Sequence, residues 1–196
     1  AFEVNAKPAR TNRSTQHWLI ELTQGDEVVI TATAITAARR NTFSSNESPI
    51  PAVVAAQSLQ RAQPPKVPWT QRYDMRSITG HLPTVWDDKE GDTLTQMWVR
   101  DVQERSIDFA SLTALADTFF PRVYLRRKTF VPIGTVSMTV YFHADVAELT
   151  ALGGSFVLGQ AKAQSFFNGF FDQSAQLWSE AGTLLATTHQ VVYYKE

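Results

Sequence analysis

The stretch DFASLTALADTFFP, residues 108–121, contains the one long helical pattern in the sequence. Its apolar side chains recur at the spacing that places them on one face of a helix. Pro121 predicts the end of this helix, because proline cannot continue one. An apolar face has to be buried against another element, so the flanking segments decide the fold. The residues of this face are Phe109, Leu112, Ala116 and Phe119.

The segments around this helix predict β-strands, because they are rich in β-branched and aromatic residues. The residues SEAG, 179–182, are a turn with glycine at its end. We expect antiparallel strands to wrap around the helix and to cover its apolar face, which is an α+β fold. After the helix we expect only strands. The strand-like runs are 92–101 before the helix and 136–143, 155–171 and 183–195 after it.

The N-terminal part of the chain begins with a hairpin pattern. Residues 16–36 contain two strand-like runs separated by Gly25-Asp26, which is a hairpin signal. Residues 44–68 are rich in Pro, Ser, Gln and Ala and predict a linker, with one short helix at 53–61. The chain therefore contains two structured units, and the first resembles the closing hairpin of a unit like the second.

The composition excludes several classes of function. The 196 residues carry 18 basic and 19 acidic side chains, so no net charge attracts a nucleic acid or an acidic membrane. The absence of cysteine excludes disulfides, thiolate metal sites and cysteine nucleophiles. No apolar run approaches the roughly 20 residues that span a bilayer, and no signal peptide is present, so we expect a cytoplasmic protein.

Asp117 is the candidate catalytic base. On a helical wheel it falls at the edge of the apolar face, where a carboxylate is either half solvated or directed into a cavity. Burial there raises its pKa and makes it a better base, provided that donors hold the ionised form. Thr135 and Gln190 lie in predicted strands and are suitable donors. Gln190 shares the more apolar side of its strand with Leu184, Ala186, Thr188 and Val192, so its amide needs a partner there. Such a set can hold and deprotonate a water molecule without a metal, a cofactor or a covalent nucleophile.

The motifs LADTFFP, GTVSMTVYFH and ATTHQVVYYK, which contain these three residues, resemble the C-terminal half of the acyl-CoA thioesterase II family. This resemblance implies a double hot-dog fold, in which two antiparallel sheets each wrap around a helix. It also implies hydrolysis of fatty acyl-CoA to free fatty acid and coenzyme A. In that family an Asp, a Thr and a Gln orient the attacking water, and the matching residues here are Asp117, Thr135 and Gln190.

The chain departs from the family pattern at its start, because no helix precedes the first hairpin. We therefore interpret residues 1–43 as the C-terminal strands of an incomplete first hot-dog, 44–68 as a linker and 69–196 as the second hot-dog. A further N-terminal segment or a companion chain is expected to complete the first hot-dog. Self-association into a homo-oligomer is also expected, because the strands carry more aromatic side chains than one core absorbs. These are Phe166, Phe167, Phe170, Phe171 and Trp178.

The direction of the Thr135 side chain has two interpretations. Strict alternation places Thr135 on the side of Ser137 and Thr139, opposite Val136 and Met138. Either that side lines the site, or a β-bulge redirects the threonine.

Other candidate residues have weaker patterns. Arg126, Arg127 and Lys128 are candidates for binding the coenzyme A phosphates, although such a triplet is more often a solvated loop. His143 and His189 suggest a His–Asp base, but His189 alternates to the side of its strand opposite Gln190, so surface or interface positions are expected instead.

Two further features concern the substrate. The cluster SFFNGFF, 165–171, lines either an acyl tunnel or a core, and Asn168-Gly169 within it marks a bulge or a close approach of backbones. Backbone N–H groups at the start of the helix are candidates for polarising the thioester carbonyl.

Two rival functions remain open at this point. One is a non-catalytic acyl-binding or assembly subunit that keeps the fold without turnover. The other is a hot-dog hydratase or dehydratase, which needs a His paired with an acid on the helix. The absence of His from 108–120 argues against the second rival.

Overall fold

The structure is a computed structural model that describes residues 1–63, 67–103 and 105–196. It contains two compact units, Ala1–Ser45 and Asn46–Glu196. Residues 64–66 of the predicted linker lie outside the described residues. In the described part of the chain, no helix has both the length and the apolar character needed to cross a membrane.

The first unit is a three-stranded antiparallel sheet. Its strands, in the order of the sheet, are β1 (Glu3–Thr11), β2 (Thr15–Gln24) and β3 (Glu27–Ala37). The predicted hairpin at Gly25-Asp26 is confirmed, and Gly25 has the positive φ of 59° that this turn requires. Strand β1 was not predicted, because Lys7, Pro8 and Arg10 interrupt the alternation of apolar and polar residues that is typical of a strand.

One face of this three-stranded sheet is apolar. The register places Ala6 of β1 and Ala32 of β3 on either side of Ile20, and directly opposed residues share a face. The apolar residues of this face are Val4, Ala6, Pro8, Trp18, Ile20, Leu22, Ile30, Ala32 and Ala34. Val4 and Ile30 keep more than half of their surface exposed, at 58% and 57%. The described residues 1–45 therefore contain a sheet without the helix that would cover it.

The second unit is built on a seven-stranded antiparallel sheet. The strand order is β4-β5-β7-β9-β10-β6, and β8 pairs with β9. Two short 3₁₀ helices, Ala56–Ser58 and Pro68–Arg72, precede the sheet. The elements that follow are β4 (Tyr73–Thr79), β5 (Thr95–Asp101), α1 (Phe109–Ala116), α2 (Arg122–Arg127), β6 (Ile133–Phe142), α3 (Val146–Leu152), β7 (Val157–Lys162), β8 (Phe166–Phe167), β9 (Phe170–Ser179) and β10 (Leu184–Tyr194).

The inner face of this sheet packs around α1. Leu112, Leu115 and Ala116 of the helix are fully buried, and they join a core with Val99 of β5 and Leu177 of β9. The helix begins at a capping box, in which the Asp108 carboxylate accepts from the Ser111 N–H and the Ser111 hydroxyl accepts from the Asp108 N–H. A sheet wrapped around one helix is the hot-dog arrangement, so the predicted fold is confirmed.

Three predicted features of the second unit are wrong in detail. Helix α1 ends at Ala116, not at residue 120, so Phe119 lies in the loop that follows. Two more helices follow it, and α3 starts at a second capping box between Asp145 and Glu148. The run 155–171 divides into β7, β8 and the first two residues of β9. Asn168-Gly169 is a two-residue hairpin turn, with φ of 49° and 79°. Of the two predicted alternatives, the close approach of backbones is confirmed, because the Tyr194 N–H donates to the Gly169 carbonyl at 2.7 Å and a Cβ on Gly169 would lie 3.2 Å from the Tyr194 carbonyl oxygen.

Part of the predicted linker packs on the outer face of the sheet. The indole N–H of Trp98 donates to the Val54 carbonyl at 2.8 Å, and that of Trp178 donates to the Ser48 carbonyl at 2.8 Å. Ile50, Val53 and Leu59 pack against the same two indoles. Trp178 is therefore only 1% exposed, and it does not add to the exposed aromatic surface as we had expected. Phe171 is also buried.

Candidate active site

Asp117 lies at the point where α1 ends. It is the residue after the last helical turn, and its N–H donates to the Ala114 carbonyl at 3.2 Å. The next residue, Thr118, closes the turn, because its hydroxyl donates to the Leu115 carbonyl at 2.7 Å. The Asp117 side chain therefore leaves the helix axis and faces a cavity, instead of lying along the helix face.

Gln190 reaches Asp117 from the sheet. The predicted apolar side of β10 is confirmed, since Ala186, Thr188 and Val192, which share the side of Gln190, are all buried. Gln190 itself is 6% exposed, so its amide has to find partners within the protein. Its Nε2 donates to Asp117 Oδ1 at 2.9 Å and to Thr135 Oγ1 at 3.1 Å. One amide group therefore holds both the carboxylate and the hydroxyl.

A β-bulge in β6 places Thr135 beside Gln190. Val191 pairs with Ser137, whereas Val192 pairs with Thr135, so Val136 is an extra residue in β6. The extra residue reverses the alternation and turns Thr135 to the inner side of the sheet. Of the two interpretations made from the sequence, the bulge is therefore confirmed.

Gln173 is a fourth member of this polar group, and the sequence analysis missed it. It lies directly opposite Gln190 in the β9–β10 pair, and its Nε2 donates to Gln190 Oε1 at 3.0 Å. Gln173 is only 3% exposed. With Oε1 occupied, the Gln190 amide has one orientation, in which Nε2 points to Asp117 and Thr135. The sequence signal that could have identified Gln173 is a polar residue on the inner side of an otherwise apolar strand.

The four polar side chains share one cavity of about 660 Å³. Its other walls are mainly apolar and aromatic, and they come from the 3₁₀ helix at Pro68–Arg72, from β4 and from the segments after α1. This volume lies within the usual range for small-molecule sites, and an apolar cavity with a few convergent polar groups is typical of them. The residues therefore form a pocket with one reactive polar end.

The cavity environment alters the charge chemistry of Asp117. Burial raises the pKa of this carboxyl above its usual value, and the hydrogen bond from Gln190 partly opposes that rise. The Asp117 charge in turn contributes to the raised pKa of Tyr73, after burial and Asp101. Oδ1 accepts from Gln190, while none of the hydrogen bonds described for the chain uses Oδ2. A raised pKa and a carboxylate oxygen facing the cavity suit a general base.

The basic triplet does not reach this cavity. Arg126 pairs with Glu90 at 2.9 Å, Arg127 pairs with Glu196 at 2.7 Å, and Lys128 lies 4.0 Å from Asp87. Each cation therefore has a carboxylate partner, and Lys128 shares Asp87 with Lys89, which lies closer at 2.8 Å. Among the described residues that line the cavity, none of the three appears.

Two further candidates lie elsewhere. His143 and His189 are exposed, as predicted, and each contacts a hydroxyl, that of Thr187 at 3.0 Å and that of Ser174 at 3.1 Å. The start of α1 is at the end of the helix opposite Asp117, roughly 12 Å away for eight residues. The Asp108 carboxylate already accepts from the Ser111 N–H there, and none of the described residues that line the cavity comes from the first turn of α1, so the structure does not bring this candidate for carbonyl polarisation to the cavity.

Of the aromatic cluster at 165–171, only Phe171 lines the cavity. No group of three or more His, Cys, Asp or Glu side chains in the described ranges is arranged to hold a metal ion.

Comparisons with known proteins agree with the observed fold. A hot-dog protein of unknown function from Alicyclobacillus acidocaldarius is 45% identical, with all of this chain and 73% of that chain covered and a TM-score of 0.92. The tesB protein of Mycobacterium avium subsp. paratuberculosis is 14% identical over 100% and 72% of the two chains, with a TM-score of 0.75. The acyl-CoA thioesterase II TesB2 of Mycobacterium marinum is 14% identical over 98% and 73%, with a TM-score of 0.71. These two distant likenesses show the fold alone.

No curated protein matches the sequence. The family model described as acyl-CoA thioesterase C-terminal domain matches residues 50–194, which is most of the chain and includes all four polar residues of the cavity. The chain therefore belongs to the acyl-CoA thioesterase family.

Proposed function

We propose that this protein hydrolyses fatty acyl-CoA thioesters to the free acid and coenzyme A, with Asp117 as the base toward water. The observation that supports this most strongly is the Gln190 amide, which donates to both Asp117 and Thr135 at the polar end of the cavity. Family membership supports the reaction class.

The proposed step uses Asp117 Oδ2, the carboxylate oxygen that does not accept from Gln190. A water molecule donates a hydrogen bond to Asp117 Oδ2 and attacks the thioester carbonyl carbon while Asp117 takes its proton. The tetrahedral intermediate then collapses, the C–S bond breaks, and Asp117 returns the proton to the departing thiolate. The products are a carboxylic acid and a thiol, so atoms and charge balance.

Thr135 and Gln190 have different parts in this proposal. Both N–H hydrogens of the Gln190 amide are already used, so Gln190 fixes the positions of the carboxylate and the hydroxyl. Thr135 accepts from Gln190 and keeps its own O–H hydrogen, which is free to hold the water or the developing oxyanion.

The proposal extends to the organisation of the chain. Residues 1–43 are proposed to be closing strands of the first hot-dog, 44–68 the connection and 69–196 the second hot-dog, which carries the site. We also propose that a further segment or companion chain completes the first hot-dog and that the protein is a homo-oligomer.

Free-thiol release from short, medium and long acyl-CoAs tests the proposed activity. We expect release from at least one chain length, with a rate about 100-fold or more lower for the Asp117→Asn variant against the same substrate. No release from any acyl-CoA, together with measurable binding of acyl-CoA, would favour the non-catalytic acyl-binding subunit instead.

A further inference from the structure

The cavity at Asp117 has walls of aromatic rings. Eight of the nineteen described residues that line it are aromatic, whereas aromatic residues make up 11% of the chain. This enrichment is far above what the composition alone produces. The rings fall into groups whose geometry indicates the shape of the group that they contact.

One group consists of Trp86, Tyr124 and Phe130. The Trp86 ring meets Tyr124 edge-on, with centroids 5.5 Å apart, and meets Phe130 edge-on at 5.7 Å. Tyr124 and Phe130 stack at 5.4 Å. The Tyr124 hydroxyl donates to the Val131 carbonyl at 2.8 Å, which fixes the plane of its ring. Trp86 and Phe130 nevertheless remain 43% and 73% exposed, so ring surface is available to a ligand.

A second group lies nearer the polar end and consists of Trp69, Tyr73 and Phe120. Trp69 meets Tyr73 edge-on with centroids 6.2 Å apart and lies 6.4 Å from Phe120. Phe120 is three residues after Asp117, and the Asp117 charge acts on Tyr73. A group held between the two sets of rings therefore has its reactive end close to the carboxylate.

The charge of the cavity limits what it accepts. Among the described lining residues, Asp117 is the only one that carries a charge at neutral pH. A second carboxylate on the acyl group would lie unpaired in an apolar space beside Asp117, which is strongly unfavourable. The cavity therefore favours an uncharged acyl group.

We propose that the preferred acyl group is uncharged and carries an aromatic ring, an inference that rests on the thioesterase function proposed above. Flat rings gain stacking and edge-to-face contacts with these walls beyond the area that they bury. A straight alkyl chain of the same carbon number gains none of these contacts and loses more rotational freedom on binding. The two groups of rings therefore favour flat, rigid acyl groups over flexible alkyl chains.

The first test compares 4-phenylbutanoyl-CoA with decanoyl-CoA, whose acyl groups have the same number of carbon atoms. We expect kcat/KM to be about tenfold higher for the phenyl substrate. Succinyl-CoA, which carries a second carboxylate, is expected to be the poorest of the three. Equal or faster hydrolysis of decanoyl-CoA overturns the inference and leaves the thioesterase function standing.

Two variants test whether the rings of Trp86 and Phe130 produce the preference for the phenyl substrate. Trp86→Leu and Phe130→Leu keep the wall apolar but remove a ring, so the ratio of kcat/KM for the phenyl substrate to that for decanoyl-CoA should fall several-fold. Phe167→Leu is the matched control, because Phe167 is 72% exposed and does not line the cavity. An unchanged ratio in both cavity variants contradicts the assignment to these rings.

A binding measurement separates the two proposals if no thioester is hydrolysed. Quenching of tryptophan fluorescence is followed with the non-hydrolysable thioethers 4-phenylbutyl-CoA and decyl-CoA. About tenfold tighter binding of the phenyl compound supports the ring preference even if the hydrolytic function fails. Equal affinity, or tighter binding of the decyl compound, overturns the preference.

Discussion

Asp117 combines features that a purely structural carboxylate does not need. It follows the last turn of α1, it faces a cavity, and its pKa is raised by burial although Gln190 donates to it. A raised pKa means that the folded protein disfavours the ionised form. The ionised carboxylate therefore costs stability at neutral pH, and such a cost is typical of functional sites.

Replacing Asp117 by Asn should separate catalysis from stability. The amide keeps the shape but cannot take a proton, so kcat should fall by about 100-fold or more. Tm at pH 7 should stay the same or rise, because a partly desolvated charge is gone, and the difference from wild type should shrink as the wild-type carboxyl is protonated at low pH. Thiol release and thermal unfolding measure the two effects. A variant with full activity contradicts the mechanism.

The three proposed site residues should also depend on one another. Gln190→Ala and Thr135→Ala should each reduce kcat less than Asp117→Asn does. Each double variant with Asp117→Asn should be hardly slower than Asp117→Asn alone, because the groups act together on one water. Independent, additive effects in the thiol-release assay are the pattern that a helix-end carboxylate without a catalytic part predicts.

The pH dependence of the wild type follows from the same pKa. The base must be ionised, so activity should fall as pH decreases through a pKa above the usual carboxyl value. The other titratable groups that line the cavity, Tyr73 and Tyr124, have raised pKa values and stay neutral there. A profile of kcat/KM against pH with an acid limb at or below the value of a free carboxyl contradicts this prediction.

Gln173 should act as a positioning residue. Gln173→Met removes the donor to Gln190 Oε1, so the Gln190 amide loses its fixed orientation. We expect kcat to fall by about tenfold with little change in KM, the loss of roughly one hydrogen bond in the transition state. The acid limb should move to higher pH, because the bond that lowers the Asp117 pKa is weakened.

The control for this variant is Gln176→Met on the same strand, since Gln176 points to the outer face and donates to Ser48. Similar losses in both variants indicate general damage to β9 and contradict a positioning effect.

At the scale of elements, Arg122 holds the connection between α1 and α2. It is fully buried and donates to the carbonyls of Phe120 and Thr93 and to the Thr95 hydroxyl. Burial lowers its pKa to about 9, so it remains charged at neutral pH. The guanidinium therefore fastens the loop after Asp117 to the residues at the start of β5.

Arg122→Lys should be destabilising, because one ammonium cannot reach acceptors that a planar guanidinium spans. We expect the free energy of unfolding to fall by about 3 kcal/mol, because hydrogen bonds from a charged donor are lost. This corresponds to a Tm lower by roughly 6–12 °C. Thermal unfolding is compared with that of Arg126→Lys, an exposed pair with Glu90 that should change stability by less than about 1 kcal/mol. Equal Tm values for the two variants contradict the proposed anchor.

At the scale of the whole molecule, the open edge of β6 is the feature that bears on assembly. Within the described ranges, this strand pairs only with β10, and its residues Val136 and Tyr141 are 58% and 61% exposed. Exposed strand edges favour pairing with another sheet. Phe167 and Phe170 add exposed aromatic surface, whereas Phe171 and Trp178 are buried and do not support self-association.

We therefore expect at least a dimer in solution. Tyr141→Lys should shift light scattering toward the monomer, because a charge on an edge strand opposes pairing. Val146→Lys on α3, also exposed, is the control and should leave the mass unchanged. A wild-type monomer at micromolar concentration contradicts the prediction.

The apolar face of the three-stranded sheet leads to the last prediction. Soluble proteins rarely leave such a face uncovered, so we expect a segment that contains a helix, from the same gene or a companion chain, to cover it. Intact mass of the natural protein and its full reading frame test this. A natural start at Ala1 without a companion chain contradicts it.

The sequence by itself determined the elements whose patterns are local. The apolar face of α1, the hairpin at Gly25-Asp26 and the buried side of β10 follow from periods of 3.6 and 2 within one segment. The resemblance of short motifs then supplied the hot-dog fold and three of the four polar residues in the cavity. Each of these inferences needed only neighbouring residues or a known pattern.

The tertiary structure decided everything that depends on how segments meet. Gln173 became a partner of Gln190 only through the register of β9 against β10, and Thr135 joined them only because an extra residue in β6 reverses its side. The partners of Arg126, Arg127 and Lys128 and the aromatic walls of the cavity come from residues distant in the sequence. Registers, bulges and ion pairs are set by contacts across the fold, and a periodic pattern in one segment carries no information about them.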